Sequence, residues 1–164
     1  MKKSMACFLA FLLVSSPIYA DWVSEIMTDA MSDEKSLFIF YIDYPNSVSD
    51  SVTILCHENV TMVGFRVPDE ERINNNSVQY RFDKEPAERM IMDIIPGGEM
   101  AMFIHKSKGV IKTDETLNFI KKMLSKNRLL LRVSTENLYT DIEVDLIGLS
   151  DHLEPNLELC GVKF

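Results

Sequence analysis

The sequence predicts an α+β chain that is mostly β: an antiparallel sheet or β-sandwich, with a late helix and a C-terminal helix packed on it. Short runs of β-branched and aromatic residues follow one another, separated by turn residues. Apolar residues at clear helical spacing come late in the chain. With 164 residues, 46% hydrophobic and 26% charged, the composition is that of one globular domain, which excludes disordered and fibrous classes.

The first twenty residues have the pattern of a secretory signal peptide. Lys2 and Lys3 precede an apolar run over 6–14, and the small residue Ala20 closes the segment. The run is shorter than the ~20 residues that a membrane-spanning helix needs. We expect cleavage after Ala20, which leaves residues 21–164 as a single domain in the periplasm. An uncleaved N-terminal anchor is the alternative.

Charge and cysteine content indicate the setting of the mature chain. Removal of Lys2 and Lys3 takes the formal net charge from −8 to −10. An acidic surface repels phosphate backbones, so nucleic acid is not expected as a partner. We also expect no transmembrane segment in the mature chain. Cys56 and Cys160 remain as an even pair, which predicts a disulfide in an exported protein. Two buried free thiols are the alternative.

The N-terminal half of the mature chain is predicted to be largely strands. Residues 21–35 have apolar spacings that fit a short helix or a strap over the core. Residues 37–42 are apolar on both faces, which predicts a buried strand. Segments 51–57 and 60–67 predict a hairpin with a two-residue turn. One face of its first strand carries Val52, Ile54 and Cys56.

The middle of the chain continues this pattern. Residues 68–76 predict an exposed polar loop. The strand 77–82 alternates strictly, and its buried face is predicted to carry Val78, Tyr80 and Phe82, with Gln79 and Arg81 opposite. Residues 89–95 and 100–105 predict two paired strands around a Pro-Gly-Gly turn.

The last third supplies both helices. A helix begins at Thr113, and its apolar stripe consists of Leu117, Ile120, Met123 and Leu124. Residues 128–133 and 141–146 predict two further strands. The C-terminal segment has apolar residues at helical spacing, namely Leu149, Leu153, Leu157 and Cys160. Pro155 should kink or split that helix, because proline lacks the backbone donor.

Several local motifs follow one another in the same order and at similar spacing as in a known protein family. They are Ser51–Cys56, the stretch Val78–Asp83 with Pro86, Ala101–Phe103, Phe119–Leu124, Arg128–Val133, Val144–Leu149 and the ending Cys160-Gly161. Together they resemble the type VI secretion-associated VasI/TagO family of exported proteins in Gram-negative bacteria, over nearly all of the mature chain. Val162 stands where relatives carry an aromatic residue, and Met90 or Ile91 where tryptophan is usual. The resemblance implies an envelope accessory protein and brings no catalytic residues.

Motifs for catalysis or metal binding are missing from the sequence. His57, His105 and His152 stand apart, and no Gly-x-Ser-x-Gly elbow or Walker loop occurs, so neither a metal nor a cofactor is predicted. The candidate binding residues are Arg81, Asp83, Arg128 and Arg132. They form either a cationic pocket for a carboxylate or glycan, or cross-strand ion pairs that fix the register. Four methionines provide either an adaptable surface or core filling: Met90, Met92, Met100 and Met102.

Two functions fit these features. The first is a non-enzymatic periplasmic accessory or assembly factor that binds an envelope protein, such as a component of type VI secretion. The alternative is a peptidoglycan- or glycan-binding protein or hydrolase. A flat exposed apolar patch would favour the first function. A concave site with converging polar groups and shifted pKa values would favour the second.

Overall fold

The computed structural model describes residues 21–42, 52–57, 60–68, 71–103, 106–107, 110–111 and 113–160. The predicted signal peptide, the turn residues around Pro45 and Asn59, His105 and the last four residues lie outside this part. None of the helices within it is long and apolar enough to cross a bilayer.

Two antiparallel sheets make up most of the fold, which confirms the predicted β-rich α+β class. The larger sheet has six strands in the order β1-β2-β3-β4-β8-β7. Its strands are β1 (Asp21–Thr28), β2 (Lys35–Ile42), β3 (Val52–His57), β4 (Val60–Arg66), β7 (Asp93–Ile94) and β8 (Met100–Phe103).

The smaller sheet has four strands in the order β12-β11-β5-β6. Its strands are β5 (Ser77–Phe82), β6 (Glu88–Ile91), β11 (Arg128–Val133) and β12 (Thr140–Asp145). Val78 and Phe82 of β5 are buried, Tyr80 is half-buried and Arg81 is exposed, which confirms the predicted register. A hairpin that the sequence did not predict pairs β9 (Lys106–Ser107) with β10 (Val110–Ile111).

The prediction of one strand over 89–95 was wrong, because the chain changes sheets there. Residues 88–91 pair with β5 of the smaller sheet, whereas Asp93 and Ile94 pair with β8 of the larger one. Between them Met92 is only 1% exposed, and its backbone N–H donates to the carbonyl oxygen of Asn76 at 2.9 Å. Burial of the Met92 side chain in the common core requires the strand to bend between the sheets.

The sheets also approach each other at the opposite edge, through β1. A helix or strap was expected over 21–35, and this was wrong: residues 21–28 pair with β2 as an edge strand. The indole Nε1 of Trp22 donates to the carbonyl oxygen of Asp145 at 2.9 Å, and the Asp145 N–H donates to the Tyr41 hydroxyl at 3.1 Å. Trp22 is the one buried residue of β1, so alternation could not reveal the strand.

Helix α1 (Thr113–Leu124) packs between the two sheets. The ring of Phe119 lies 5.3–6.3 Å from four other rings, those of Phe65, Tyr80, Phe82 and Phe103, which come from both sheets. In the predicted apolar stripe of this helix, Ile120 and Met123 are buried. Leu117 and Leu124 are half-buried. Buried residues of both sheets and of the helices form one hydrophobic cluster.

The C-terminal segment is divided as Pro155 predicts. Helix α2 (Leu149–Leu153) is followed by a 3₁₀ helix over Glu154–Cys160. Leu149 and Leu153 are fully buried, and Leu157 is half-buried against the core. The predicted disulfide is confirmed: the Cys56 and Cys160 sulfurs are 2.02 Å apart, with their Cα atoms at 4.6 Å. The Thr61 hydroxyl also donates to the Cys160 carbonyl oxygen at 2.9 Å.

The predicted polar loop over 68–76 is less exposed than expected. Ile73 is buried and pairs with Thr135 through an isolated β-bridge. Its N–H donates to the Gly98 carbonyl oxygen at 2.7 Å. A single apolar residue among polar neighbours gives no periodic signal, so only the packed structure shows that this loop closes one end of the core.

Candidate functional site

The outer face of the six-stranded sheet is apolar, although this face points away from the core. Two rows cross it in register: Phe40, Thr53, Gly64 and Met102 in one, and Phe38, Leu55 and Met62 in the next. We call this surface the apolar face and define it by Phe38, Phe40, Leu55, Met62, Met100 and Met102. All six side chains are partly exposed. At the β1 edge, Val23 and Met27 extend it with exposed fractions of 42% and 52%.

Gly64 shapes the centre of the apolar face. A Cβ atom at this position would lie 2.8 Å from the Met102 sulfur and 3.3 Å from the Met100 sulfur. The two methionine side chains therefore lie over the glycine, in space that a larger residue would occupy. Methionine is flexible and polarisable, which suits a surface that adapts to a partner. In contrast, Met90 and Met92 are buried in the core.

The helices of the described chain pack on the other side of this sheet. Helix α1 contacts the inward-facing Phe65 through Phe119. Helix α2 approaches β1 through a hydrogen bond of 3.0 Å between the Ser24 hydroxyl and His152 Nδ1. The 3₁₀ helix is joined to Cys56 by the disulfide. Within the described residues, all three helices therefore lie on the inner side of the sheet, and none of them covers the apolar face.

Carboxylates predominate around the apolar face. On β1, Asp21 pairs with Ile42 and Glu25 pairs with Phe38, while Asp93 on β7 pairs with Met102. All three carboxylates are exposed. One arginine, Arg66, lies beside Met100, and its guanidinium is 3.6 Å from a carboxylate oxygen of Glu99. The surface is therefore an apolar area with a mainly acidic rim.

The outer face of the four-stranded sheet has the opposite character, and we call it the arginine face. It carries Arg81 on β5, Arg89 on β6, and Arg128 and Arg132 on β11. The Arg132 guanidinium makes two hydrogen bonds of 2.6 Å to the Asp141 carboxylate and lies 4.3 Å from the centre of the Tyr139 ring. This pairing raises the pKa of Arg132 and lowers the pKa of Asp141.

The four candidate binding residues separate into two groups. Arg81 and Arg132 line the same shallow depression of about 280 Å³, together with Gln79 and Leu130. Arg128 instead pairs with Glu143 at 2.6 Å. Asp83 adopts a positive φ of 47°, and its carboxylate accepts hydrogen bonds from the backbone N–H groups of Asn127 and Arg128, at 3.2 and 3.0 Å. The Asp83 carboxylate therefore links the end of β5 to the start of β11.

Sequence reasoning missed three residues of the arginine face. Arg89 lies in one row with Gln79 and Arg132, because both pair with Gln79 across neighbouring strands. Leu138 and Tyr139 line a second depression of about 250 Å³ that Arg89 and Arg132 also line. Arg89 precedes the apolar Met90 on a predicted strand, and this alternation indicates that the Arg89 side chain lies on the outer face. Only the pairing of β5 with β6 places it beside Gln79.

A deeper cavity of about 470 Å³ lies between β6 and α1, above Phe103 and Phe119. At its rim the Tyr80 hydroxyl donates to Glu88 at 2.8 Å, and the Lys122 ammonium lies 3.0 Å from both Glu88 and Glu85. Partial burial and the hydrogen bond to Glu88 raise the pKa of Tyr80 to about 12.

The charged groups at this rim neutralise one another. Contact with Lys122 lowers the pKa of Glu88, while Lys126 and then Lys122 lower the pKa of Glu85. A general acid or base near neutral pH needs a pKa close to 7, and these shifts lead away from it. Nor does any group of three His, Cys, Asp or Glu side chains in the described residues form a metal-binding cluster.

The fold and its surfaces define a disulfide-linked protein of two antiparallel sheets, with one apolar and one arginine-bearing outer face. No family model matches the sequence, and no curated protein does. Among solved structures, invasion associated protein B from Bartonella henselae is similar, with a TM-score of 0.52 and 14% identity. The alignment covers 88% of this chain and 96% of that one. At this identity the similarity concerns the fold.

Proposed function

We propose that this chain is an exported, non-enzymatic accessory protein that binds a protein partner through the apolar face. The observation that carries the proposal is a six-stranded sheet whose outer surface is aromatic and methionine-rich. Large contiguous apolar patches on soluble domains usually mark interaction sites, because exposing them to water is unfavourable.

Export is supported by the N-terminal segment and by the disulfide. The pattern of residues 1–20 is that of a signal peptide cleaved after Ala20, with 21–164 as the mature domain. The Cys56–Cys160 bond fits an oxidising compartment such as the periplasm. The similar fold belongs to a protein described as invasion associated, which is consistent with an accessory role at the cell envelope.

Type VI secretion is the setting that we propose for this partner. Its support is the resemblance of the motifs Val78–Asp83 and Cys160-Gly161 to the VasI/TagO family. That family also occurs outside type VI gene clusters, so the binding function and the secretion role need separate tests.

The size of the apolar face fits a modest protein interface. Its two rows, about 6.8 Å apart, cross five strands about 4.8 Å apart, which gives an area of roughly 330 Å². Contact over this whole area would bury about 650 Å² in total, which is in the range of weak, transient complexes. We therefore expect a complementary apolar surface on the partner and an association that can be reversed.

Charge indicates the rim of that partner. Two copies of the mature chain would bring together two acidic rims and two molecules of formal net charge −10. Like charges at an interface oppose association, whereas a basic rim would be attracted to Asp21, Glu25 and Asp93. The expected occupant is thus another protein, with an apolar contact surface bordered by lysine or arginine.

A photocrosslinking experiment in the native host tests this proposal. A photoreactive amino acid replaces Leu55 on the apolar face of the tagged full chain, and Ile147 in the control. Ile147 follows β12, is 69% exposed and lies on neither outer face. We expect a discrete adduct from position 55 that position 147 does not give.

The adduct must also depend on the surface. Phe40→Ser and Met102→Ser should reduce its yield about tenfold, as truncation of central interface residues commonly does. Glu25→Lys should reduce it less and weaken its dependence on salt. An adduct that both Ser variants leave intact, or equal adducts from positions 55 and 147, would refute the apolar face as the docking site.

The secretion role has its own readout. If the crosslinked partner is a type VI component, the adduct disappears when the secretion gene cluster is deleted. An adduct that persists in that strain would retain the binding function and exclude the type VI assignment.

A further inference from the structure

The arginine face contains two arginines that have no carboxylate partner among the described residues. Arg128 and Arg132 pair with carboxylates of β12. Arg81 and Arg89 are exposed and form no ion pair with any carboxylate in the described part of the chain. The whole sequence has 25 acidic residues against 17 basic ones, so unpaired neighbouring arginines are unexpected on such a surface.

Strand pairing brings these two arginines together. Gln79 pairs with Arg89, which makes Arg81 and Arg89 diagonal neighbours on adjacent strands, at Cα separations of about 7–8 Å. Their long side chains can converge on one small ligand. Gln79 and Arg132 line both shallow depressions, so the two adjoin; Arg81 lines the first and Arg89 the second.

The second depression adds a rigid wall. Arg132 is fixed by two hydrogen bonds to Asp141 and by its position over the Tyr139 ring. Beside it Leu138 is 73% exposed and adopts a φ of +107°. Positive φ is uncommon for a non-glycine residue, and strained residues often occur at ligand sites. The tight turn over 135–138 thus holds an aliphatic side chain in solvent beside two arginines.

We propose that these two adjoining depressions bind the end of a peptide chain, with its free carboxylate and an aliphatic last residue. Arg81 and Arg89 bind the carboxylate, since guanidinium groups pair with planar oxyanions through two parallel hydrogen bonds. Leu138 and Tyr139 contact the aliphatic side chain. The amide of Gln79 is placed to bond the terminal peptide group.

The volume supports a ligand of this size. The two adjoining depressions, of about 280 and 250 Å³, are each smaller than the ~300–1,000 Å³ typical of sites for whole small molecules. One terminal residue with its carboxylate fits such a space. This site lies on the other sheet from the apolar face, so it does not depend on the function proposed above.

The test is a titration of the full mature chain with N-acetyl-leucine, followed by NMR of backbone amides and arginine Nε groups. We expect a Kd on the order of 1 mM, as for a ligand with so few atoms. The signals of Gln79, Arg81 and Arg89 should shift. N-acetyl-leucinamide, which lacks the charge, should bind at least about tenfold more weakly. Inorganic phosphate provides the second arm.

Variants separate binding from folding. Arg81→Gln and Arg89→Gln should each weaken N-acetyl-leucine binding several-fold. The matched control is Arg128→Gln, because this arginine lies on the same face, is paired with Glu143 and lines neither depression. It should bind like the wild type. Leu138→Gly should weaken binding while leaving the melting temperature unchanged or raised, because glycine tolerates positive φ.

The proposal has clear contrary outcomes. Equal affinity for N-acetyl-leucine and its amide would exclude carboxylate recognition. Wild-type affinity in both Arg81→Gln and Arg89→Gln would exclude these residues. Tighter binding of inorganic phosphate than of N-acetyl-leucine would overturn the assignment to a peptide end in favour of a phosphate ligand.

Discussion

The two outer faces of this protein differ although both belong to antiparallel sheets over one core. On the four-stranded sheet, buried and exposed residues alternate, as in Leu129, Leu131 and Val133 against Arg128 and Arg132. On the six-stranded sheet, β2 is apolar at nearly every position, and Phe38 and Phe40 point away from the core. Loss of alternation usually indicates a strand covered on both sides. Here the second side of β2 belongs to the apolar face, which under the proposed function a partner protein would cover.

The largest expected effect compares a ring inside the core with one on the apolar face. Phe119→Ala should lower the free energy of unfolding by about 3–5 kcal/mol, because it leaves a cavity among four rings. Phe40→Ser should cost about 1 kcal/mol or less, since Phe40 is partly exposed already. Urea denaturation measures both. Equal losses would mean that the apolar face is covered within the folded chain.

The disulfide provides the next largest effect, on the inner side of the six-stranded sheet. Cys160→Ser should cost about 2–5 kcal/mol, because it releases a link between residues 104 positions apart. The melting temperature should fall, and the C-terminal segment should become more sensitive to protease. Reductant should lower the wild-type melting temperature towards that of the variant. An unchanged melting temperature in both comparisons would contradict the stabilising role of the bond.

The third stability prediction concerns Asp83, which follows β5 of the smaller sheet. Asp83→Ala should cost about 1–2 kcal/mol, similar to loss of a helix cap, because two backbone N–H groups lose their acceptor. Asp83→Asn is the matched control, since asparagine keeps an oxygen acceptor and tolerates positive φ. Thermal denaturation should show Asn close to wild type and Ala clearly lower. If both variants match the wild type, these hydrogen bonds do not stabilise the turn.

Tyr80 gives the smallest effect, and it depends on pH. Its pKa is raised from 10.0 to about 12 in the folded protein, mainly by partial burial. The folded state therefore favours the neutral phenol. This contribution to stability is fully present below pH 10 and is lost as the pH rises towards 12.

Comparison with Tyr80→Phe isolates that contribution. At neutral pH the variant should lose only about 0.5–1.5 kcal/mol, for one hydrogen bond to Glu88. Above pH 10 the difference between the two proteins should shrink, because phenylalanine does not ionise. Denaturation midpoints measured at increasing pH check this. A constant difference up to pH 12 would contradict the raised pKa.

Much of the fold could be predicted from local patterns. The alternation in Val78–Phe82, the hairpin of β3 and β4, and the C-terminal helix divided at Pro155 all follow from short-range spacing. The errors at β1 and at Met92 have one physical cause. Both segments are defined by contacts with distant strands, and such contacts leave little periodic signal in the local sequence.

The candidate sites show the same limit. Arg81 and Arg132 could be selected as cations on strands, but their position beside Arg89 required the pairing of β6, β5 and β11. From the sequence alone, Asp83 could be an ion-pair partner for these arginines. The structure shows instead that its carboxylate accepts hydrogen bonds from the backbone N–H groups of Asn127 and Arg128. Binding roles for these residues stay predictions that the titration tests.

The sequence by itself determined the β-rich class and the pairing of Cys56 with Cys160, because composition, short-range periodicity and the two cysteines that follow residue 20 are local or countable properties. Only the tertiary structure decided which side of β2 faces the core, and which arginines have carboxylate partners. Those outcomes depend on strand order and register, and one step of register moves every side chain of a strand to the opposite face.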